Sequence, residues 1–318
     1  MGTKKVLFFG DFGVDDITAL MFSYFDDDTD IIGIVADYGN VSKQTALKTA
    51  QYLAKLSKTE NIPLIGGAAR PLTGEIPVYY PEIHGEQGLG PIIPEGEFPV
   101  GNFENFEMIR SLITQYNYDV TIVNVGRLTS LATAFVLFPN IVGRVKDIII
   151  MGGAFLYPGN VTPVAEANFY GDPSAANLVL TLANKVSIFP LNVTNYAIIP
   201  DEVIQELDQF YKDTNNQFGQ ILKPMIDYYT NFYKTNNPDI AGGPLHDLLA
   251  FWGAVREDKI TYVEKPVKVI VESEYARGQS IADFRPYKML ADYPVHRIAV
   301  KFDYGAFVSD FQKIMRKE

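Results

Sequence analysis

Three carboxylates lie in one short turn near the N-terminus. Asp11, Asp15 and Asp16 follow the apolar run 6–9, which predicts a buried strand, and they precede an apolar segment that predicts a helix. In open α/β sheets, ligands bind beyond the carboxyl ends of the strands. Crowded like charges resist ionisation, and calcium or magnesium, which prefer oxygen ligands, would relieve this cost. The alternative is that these aspartates only cap the helix.

Other polar side chains follow further strand-like runs. If the sheet is parallel, the carboxyl ends of its strands share one edge, and these side chains converge there. Carboxylates and amides are suited to the vicinal hydroxyl groups of a polyol, so the sequence predicts a polyol ligand. The residues placed at this edge are Asn40, Thr129, Asn160, Glu166, Asn168, His246 and Asp247.

Each of these residues also has a plainer explanation. Asn40 after Gly39 is a common turn residue, Glu166 fits a solvated surface, and a lone histidine often only packs or caps a helix. His84 lies in a long loop, where a functional role and a purely structural one are equally open. Tyr229 and Tyr233 are four residues apart on a helix, a spacing typical of core packing. Their joint placement, rather than any one of them, indicates a site.

The composition limits the class of protein. The chain has 318 residues, of which 47% are hydrophobic and 20% charged, so it can bury a large core. A net charge of −11 argues against nucleic acid and anionic membrane surfaces as partners. Without cysteine, disulfides and zinc–thiolate sites are excluded. No leader or transmembrane pattern is evident, and we therefore expect a cytoplasmic protein.

The elements that must position these side chains alternate along the chain. Unalternated apolar runs, which are typical of strands buried on both faces, occur at 6–9, 31–36, 63–67, 120–125, 147–151 and 186–189. Helical patterns lie between them, and a loop at 68–103 is long enough to suggest function. This alternation predicts an α/β fold with a mainly parallel, Rossmann-like sheet flanked by helices, as a single domain over 1–318. Helices are predicted after Ser42 and at 104–116, 128–138, 173–182, 200–233, 244–255 and 304–315.

Nearly the whole chain resembles the inosine-uridine type nucleoside hydrolases. The resemblance rests on segments 11–16 and 39–42, on His84-Gly85 with Gly88-Leu89, and on segments 151–154, 158–168 and 244–247. It implies the nucleoside hydrolase fold and calcium-dependent hydrolysis of the N-glycosidic bond of ribonucleosides. It also leads us to expect a homodimer or homotetramer.

The resemblance further implies a role for each site residue. Asp11 would activate water, and His246 would assist departure of the base, because histidine titrates near neutrality. Calcium would be held by Asp11, Asp16, Asp247 and the backbone carbonyl of Thr129. The substrate would be bound by Asp15, Asn40, His84, Asn160, Glu166, Asn168, Tyr229, Tyr233 and Asp247.

The sequence departs from the family motifs at three places. The opening motif Asp-x-Asp-Pro-Gly-x-Asp-Asp has Phe9 at its first aspartate and Phe12 at its proline. The later run Gly-Pro-Leu-Thr-Asn appears as Gly126-Arg127-Leu128-Thr129-Ser130. Phe9 removes a carboxylate that would neighbour the metal, and such neighbours orient metal ligands.

Other functions compete with hydrolysis of nucleosides. Phe9 favours a calcium-stabilised protein that binds nucleoside or ribose with weak or lost turnover, whereas the presence of Asp11 and His246 favours turnover. A phosphate-cleaving metalloenzyme is disfavoured because no phosphate loop or basic cluster accompanies the carboxylates. A dinucleotide oxidoreductase is disfavoured because the turn 10–13 lacks the third glycine of that fingerprint.

Overall fold

A computed structural model describes residues 2–96, 98, 105–286 and 293–317. Its centre is a nine-stranded sheet with strand order β3-β2-β1-β4-β5-β6-β9-β7-β8. The strands are β1 (Lys4–Gly10), β2 (Thr29–Ala36), β3 (Leu64–Gly66), β4 (Thr121–Asn124), β5 (Asp147–Met151), β6 (Ser187–Phe189), β7 (Ile260–Val269), β8 (Ser280–Ala282) and β9 (Val295–Phe302).

Thirteen α-helices of the described residues surround the sheet. They are α1 (Val14–Phe25), α2 (Lys43–Ser57), α3 (Pro81–His84), α4 (Phe106–Gln115), α5 (Thr129–Leu137), α6 (Pro139–Val142), α7 (Ala167–Gly171), α8 (Pro173–Leu182), α9 (Leu191–Thr194), α10 (Asp201–Asp213), α11 (Leu222–Asn236), α12 (His246–Val255) and α13 (Tyr304–Ile314). Within this part of the chain, no helix is long and apolar enough to span a bilayer.

The sheet is mainly parallel, as the sequence predicted. Strands β1 to β6 pair in parallel, and β9 continues this arrangement beside β6. The C-terminal strands differ from the short strands expected there. β7 has ten residues and is antiparallel to both β9 and β8, and its mixture of buried and exposed positions fits a strand near the edge of the sheet.

The alternation of side chains along β1 divides the core into two layers. Phe8 packs into the layer with α1 and α12, whereas Phe9 packs into the opposite layer with Leu128 and Leu131 of the α5 region. Both rings are fully buried. Phe9, which stands where the family motif has an aspartate, is therefore a core residue on the far face of the sheet.

Two helices on one face bring distant parts of the chain together. Phe22 of α1 and Phe251 of α12 make an edge-to-face contact with ring centroids 6.3 Å apart, and Phe8 lies 6.4 Å from the same Phe251 ring. Aromatic contacts of this geometry stabilise a helix pair beyond the burial of area. The packing sets the N-termini of α1 and α12 side by side at the carboxyl edge of the sheet.

The described part of the loop predicted at 68–103 is mostly irregular but contains the short helix α3, which ends at His84. Residues 97 and 99–104 lie outside the described residues, as does the predicted helix start at 104. The helix predicted over 200–233 occurs as α10 and α11, separated by a short 3-10 turn at Gly219–Ile221.

Candidate active site

One cavity of about 170 Å³ opens at the carboxyl edge of the sheet. Ten of the residues that the sequence singled out line it, so the predicted convergence of strand ends is confirmed. They are Asp15, Asn40, His84, Asn160, Glu166, Asn168, Tyr229, Tyr233, His246 and Asp247.

Three carboxylates meet where the N-termini of α1 and α12 adjoin. Oxygen atoms of Asp15, Asp16 and Asp247 lie within 4.8 Å of one another, and all three residues are buried. Both helix dipoles favour negative charge at this point. Burial, together with the neighbouring carboxylates, nevertheless raises the pKa of each of these three groups. The three carboxylates therefore repel one another, and the cluster itself supplies no positive charge that would offset this repulsion.

This donor set fits a hard divalent cation. Asp15 Oδ1 is buried without a hydrogen-bond partner among the described residues, and an unsatisfied buried oxygen is costly. All the available atoms are carboxylate oxygens, which suit calcium better than a transition metal. The cluster includes Asp15, which the sequence placed on the sugar, and it does not include Asp11.

Asp16 also supports the backbone of the turn. Its two side-chain oxygens accept hydrogen bonds from the Asp11 N–H at 2.9 Å and from the Gly13 N–H at 2.8 Å. The simple explanation of an aspartate that caps α1 is thus correct for Asp16 and compatible with its membership of the cluster. A side chain at Gly13 is excluded, because a Cβ there would approach Asn40 Nδ2 to 2.4 Å and His84 Nδ1 to 2.5 Å.

Phe12 explains one departure from the family motif. Its φ is 56°, a conformation that a proline, fixed near a φ of about −65°, cannot adopt. The ring of Phe12 is fully buried in the same core layer as α1. The turn that carries Asp11 is therefore shaped around a phenylalanine.

Asp11 lies directly behind the cavity wall, 1% exposed, and both its oxygens are occupied. Oδ1 accepts a hydrogen bond from Asn40 Nδ2 at 3.0 Å, and Oδ2 accepts from the Asn40 N–H at 2.9 Å. Oδ2 also accepts from Arg127 Nη1 at 2.7 Å, which forms a buried ion pair. Its predicted role as a metal ligand stays a prediction, and its oxygens face Asn40 and Arg127.

The structure does not bring Thr129 to the site. Thr129 is absent from the described residues that line the cavity, and it is the first residue of α5, so its carbonyl points into the helix and accepts the Thr133 hydroxyl at 2.8 Å. Its own hydroxyl contacts Tyr38 and Asp172. The backbone that lines the cavity there belongs instead to Val125.

The two cavity histidines are neutral. Burial lowers the pKa of His246 to about 4 and contributes most to lowering that of His84 to about 3. The expectation that His246 titrates near neutrality was therefore wrong, because burial disfavours the charged form. His84 Nδ1 accepts the Val14 N–H at 3.1 Å, so its proton lies on Nε2.

A chain of hydroxyl groups fixes the proton on His246. Tyr229 donates to the Pro244 carbonyl at 2.9 Å and so accepts from the Tyr233 hydroxyl at 3.2 Å. Tyr233 in turn accepts from His246 Nε2 at 3.4 Å, while His246 Nδ1 lies 2.8 Å from the Thr194 hydroxyl. Since each hydroxyl has one proton, His246 carries its own on Nε2. Tyr229 belongs to the core, Tyr233 is half-buried against it, and both line the cavity.

Polar side chains of the segment that follows β5 accept hydrogen bonds from nearby backbone N–H groups. Glu166 is 2% exposed and accepts the N–H groups of Asn168, Gly153 and Phe169 at 2.8, 2.9 and 3.2 Å, so it is not a solvated surface residue. Asn160 Oδ1 accepts the Ala167 N–H at 3.0 Å. These contacts orient the side chains of Asn160 and Glu166, whereas the Asn168 side chain is held by donation from its Nδ2 to the Val125 carbonyl at 2.6 Å.

Sequence reasoning missed Arg127 as a residue of the site. Its side chain is 4% exposed, lines the cavity, and donates to Asn168 Oδ1 at 3.0 Å as well as to Asp11. The guanidinium lies 5.9 Å from the centre of the Tyr80 ring. The departure of 126–130 from the family run was the one available signal. Burial of the arginine, which is rare for this residue type, becomes visible only in the folded chain.

Comparison with known proteins agrees with this geometry. The family model described as inosine-uridine preferring nucleoside hydrolase matches residues 6–309. Uridine nucleosidase 1 of Arabidopsis thaliana is 31% identical over 84% of this chain and 78% of its own length. The pyrimidine-specific ribonucleoside hydrolase RihA of Salmonella paratyphi A is 30% identical, and 93% of each chain is covered. The solved purine-preferring ribonucleoside hydrolase of Gardnerella vaginalis superposes with a TM-score of 0.89 at 27% identity, with 98% of both chains covered.

Proposed function

This chain belongs to the inosine-uridine preferring nucleoside hydrolase family, and from that premise we propose that it binds calcium through Asp15, Asp16 and Asp247 while it hydrolyses ribonucleosides to ribose and free base. The observation that carries the proposal is the cluster of three carboxylates that opens into a cavity with an aromatic wall. The enzyme class, a ribonucleoside hydrolase, follows from the family and from the named relatives.

Calcium, when bound, would supply the positive charge that keeps the three carboxylates ionised and would make adjacent water more acidic. The carboxylates in turn favour the positive charge that develops on the sugar as its C–N bond breaks, as in other glycoside cleavages. Asp11 is the base proposed to take the proton from water, a role that typically contributes about 10²–10⁴-fold to rate. Its ion pair and hydrogen bonds hold it in one orientation.

The leaving base would meet the histidine and tyrosine wall of the cavity. His246 is neutral, so it would assist by donating a hydrogen bond from Nε2–H rather than as an imidazolium. Asp15, Asn40, Asn160, Glu166, Asn168 and Asp247 are proposed to bind the sugar, with His84, Tyr229 and Tyr233 beside the base. Contacts with parts of the substrate that lie away from the breaking C–N bond would then supply binding energy that stabilises the transition state.

The base preference is open to experiment because the relatives differ in it. Their names specify uridine, pyrimidines or purines. We propose that this chain accepts at least one purine or pyrimidine ribonucleoside. Assembly into a homodimer or homotetramer and a cytoplasmic location remain predictions.

Release of ribose from inosine, uridine, cytidine and adenosine tests the proposal directly. With calcium we expect release from at least one substrate, and with EDTA we expect loss of activity and a lower melting temperature, since a ligand bound by the folded state stabilises it. Asp15→Asn should behave like the EDTA sample, whereas Asp303→Asn, at the exposed start of α13, should behave like the unaltered enzyme. Full activity in a metal-free preparation would rule out the calcium role. Binding without release of ribose would instead indicate a nucleoside-binding protein.

A further inference from the structure

Thr194 contacts a cavity histidine from behind the cavity wall. It is the last residue of α9, is fully buried, and is absent from the described residues that line the cavity. Its hydroxyl oxygen lies 2.8 Å from His246 Nδ1, and this hydroxyl has no other hydrogen-bond partner among the described residues. The direction of this one hydrogen bond therefore bears on which ring nitrogen of His246 carries its proton.

Both ring nitrogens of His246 require the same direction. The Thr194 hydroxyl can satisfy its own proton only by donation to Nδ1, and a buried donor without an acceptor is costly. At the other nitrogen, Tyr233 accepts from Nε2, because the Tyr229 hydroxyl donates to the Pro244 carbonyl. The reverse direction would leave the Thr194 proton without an acceptor and one contact of the Tyr229 hydroxyl without a proton. His246 is therefore an acceptor at Nδ1 and a donor at Nε2.

Backbone hydrogen bonds hold Thr194 in place for this contact. Its N–H donates to the Pro190 carbonyl at 3.1 Å, which closes the single turn of α9. Its carbonyl accepts the Ala197 N–H at 3.0 Å, and the Ala197 carbonyl in turn accepts the Leu245 N–H at 2.8 Å. Leu245 directly precedes His246, so a short run of hydrogen bonds joins the backbone of the threonine to that of the histidine. The hydroxyl and the ring are thereby held at a fixed separation.

We propose that Thr194 positions His246 for departure of the base, by donating to Nδ1 and so keeping the ring proton on Nε2, on the side of the cavity. This role rests on the proposed function, in which His246 Nε2–H donates a hydrogen bond to the leaving base. Thr194 is a positioning residue, because it acts through His246 and does not line the cavity. Without its hydroxyl, Nδ1 loses its donor, and the tautomer and orientation of the ring lose the contact that fixes them.

¹⁵N NMR of the full-length protein, labelled at histidine and kept in excess calcium chloride, shows which ring nitrogens carry a proton. The chain has three histidines, and Nδ1 of both His84 and His296 accepts a backbone N–H, so these two serve as internal references. We expect His246 to be protonated at Nε2 alone. In Thr194→Val its Nδ1 signal should shift, because the hydrogen bond is lost, whereas Thr194→Ser should keep the signal of the unaltered protein.

Steady-state kinetics separate positioning of His246 from a purely structural role of Thr194. Inosine and uridine need a proton or a donor at the leaving base, whereas p-nitrophenyl riboside releases a phenolate that leaves without help. For Thr194→Val, which keeps the shape of the side chain, we expect the kcat for both nucleosides to fall at least about fivefold at nearly constant KM, the order of one buried neutral hydrogen bond. The kcat for p-nitrophenyl riboside should stay within about twofold, since that step needs no donor.

Two variants control for loss of a hydroxyl as such. Thr194→Ser retains the donor and should restore the kcat for both nucleosides. Thr29→Val removes the hydroxyl of a buried threonine at the start of β2, the end of that strand opposite the cavity, where it contacts the Ser23 carbonyl. This variant should leave the His246 signal and all three kcat values unchanged.

A proton on His246 Nδ1 in the unaltered protein overturns the inference without any variant. An unshifted Nδ1 signal in Thr194→Val, or in Thr194→Ala if the valine variant does not fold, also overturns it. Equal kcat losses for nucleosides and p-nitrophenyl riboside, or no loss for either, would rule out the role in departure of the base. If the unaltered protein releases no ribose from any nucleoside, the proposed function fails, whereas the spectra still decide whether Thr194 fixes the proton.

Discussion

Asp37 has a buried carboxyl group that lies outside the carboxylate cluster, and its ionisation should lower the free energy of unfolding by a measurable amount. It lies just after β2, is 1% exposed, and its Oδ1 accepts hydrogen bonds from the Ser130 hydroxyl at 2.7 Å and the Ala68 N–H at 2.8 Å. Its Oδ2 has no partner among the described residues. Burial raises the pKa of this carboxyl to about 8. We therefore expect Asp37→Asn to stabilise the protein at pH 8 more than at pH 5.

The sign follows from where the proton is bound. Between the ordinary pKa near 4 and the folded-state pKa near 8, the folded protein holds a proton that the unfolded chain has lost, so stability falls as pH rises through this window. Each pH unit changes the free energy of unfolding by at most about 1.4 kcal/mol. From pH 5 to pH 8 the limit is about 4 kcal/mol, and we expect about 2 kcal/mol after relaxation of the site.

Urea unfolding at pH 5, 6.5 and 8, with the same calcium concentration for each protein, measures this difference. Asp37→Asn keeps an oxygen for Ser130 and Ala68, so its advantage over the unaltered protein should grow with pH. Ser130→Ala is the matched variant, and its effect on stability should have the opposite sign. It removes a hydroxyl that donates to Asp37, so it should destabilise the protein more at pH 8, where more of this carboxyl is ionised, than at pH 5. If the difference for Asp37→Asn is constant within about 0.5 kcal/mol, less than one pKa unit, the raised pKa is refuted.

Two further predictions concern the sugar and the first turn. The kcat/KM for 2′-deoxyuridine should be at least about 100-fold below that for uridine, because polar groups arranged for a hydroxyl are left unpaired without it. Comparable values from a ribose-release assay would contradict the proposed sugar contacts. Phe12→Pro, which restores the proline of the family motif, should destabilise the protein by about 3 kcal/mol, because proline cannot adopt a φ of 56° and the core loses a ring. An unchanged melting temperature would show that the turn is not held in this conformation.

The sequence predicted the sheet well where strands are buried on both faces. The runs at 147–151 and 31–36 became β5 and β2, and Pro173 begins α8 as predicted. Ser42 caps α2 through its hydroxyl. Local signals of this kind depend on neighbouring residues alone. β7 was predicted less well, because a strand near the edge of the sheet has a mixed pattern of burial.

The site was predicted as a set of residues but not as a set of contacts. Convergence of the strand ends follows from a parallel sheet, and it brought Asn40, Glu166 and Asp247 together correctly. The pairing of Arg127 with Asp11 depends on space left by Gly171, which no local pattern reveals. Thr129 was misplaced because its carbonyl already belongs to the first turn of a helix. The neutral state of His246 depends on burial, which also exists only in the folded chain.

The position of β1 in the middle of the sheet has a consequence for how the enzyme is made. β1 pairs with β2 and β4, so much of the parallel sheet can form while the chain is still emerging from the ribosome. Asp247 belongs to α12, far along the chain, and its helix contacts α1 late in synthesis. A nascent chain therefore escapes the repulsion of Asp247 with Asp15 and Asp16 until α12 has been made. At the proposed calcium site, uptake of the ion would then be among the last steps of maturation, after the scaffold has already formed.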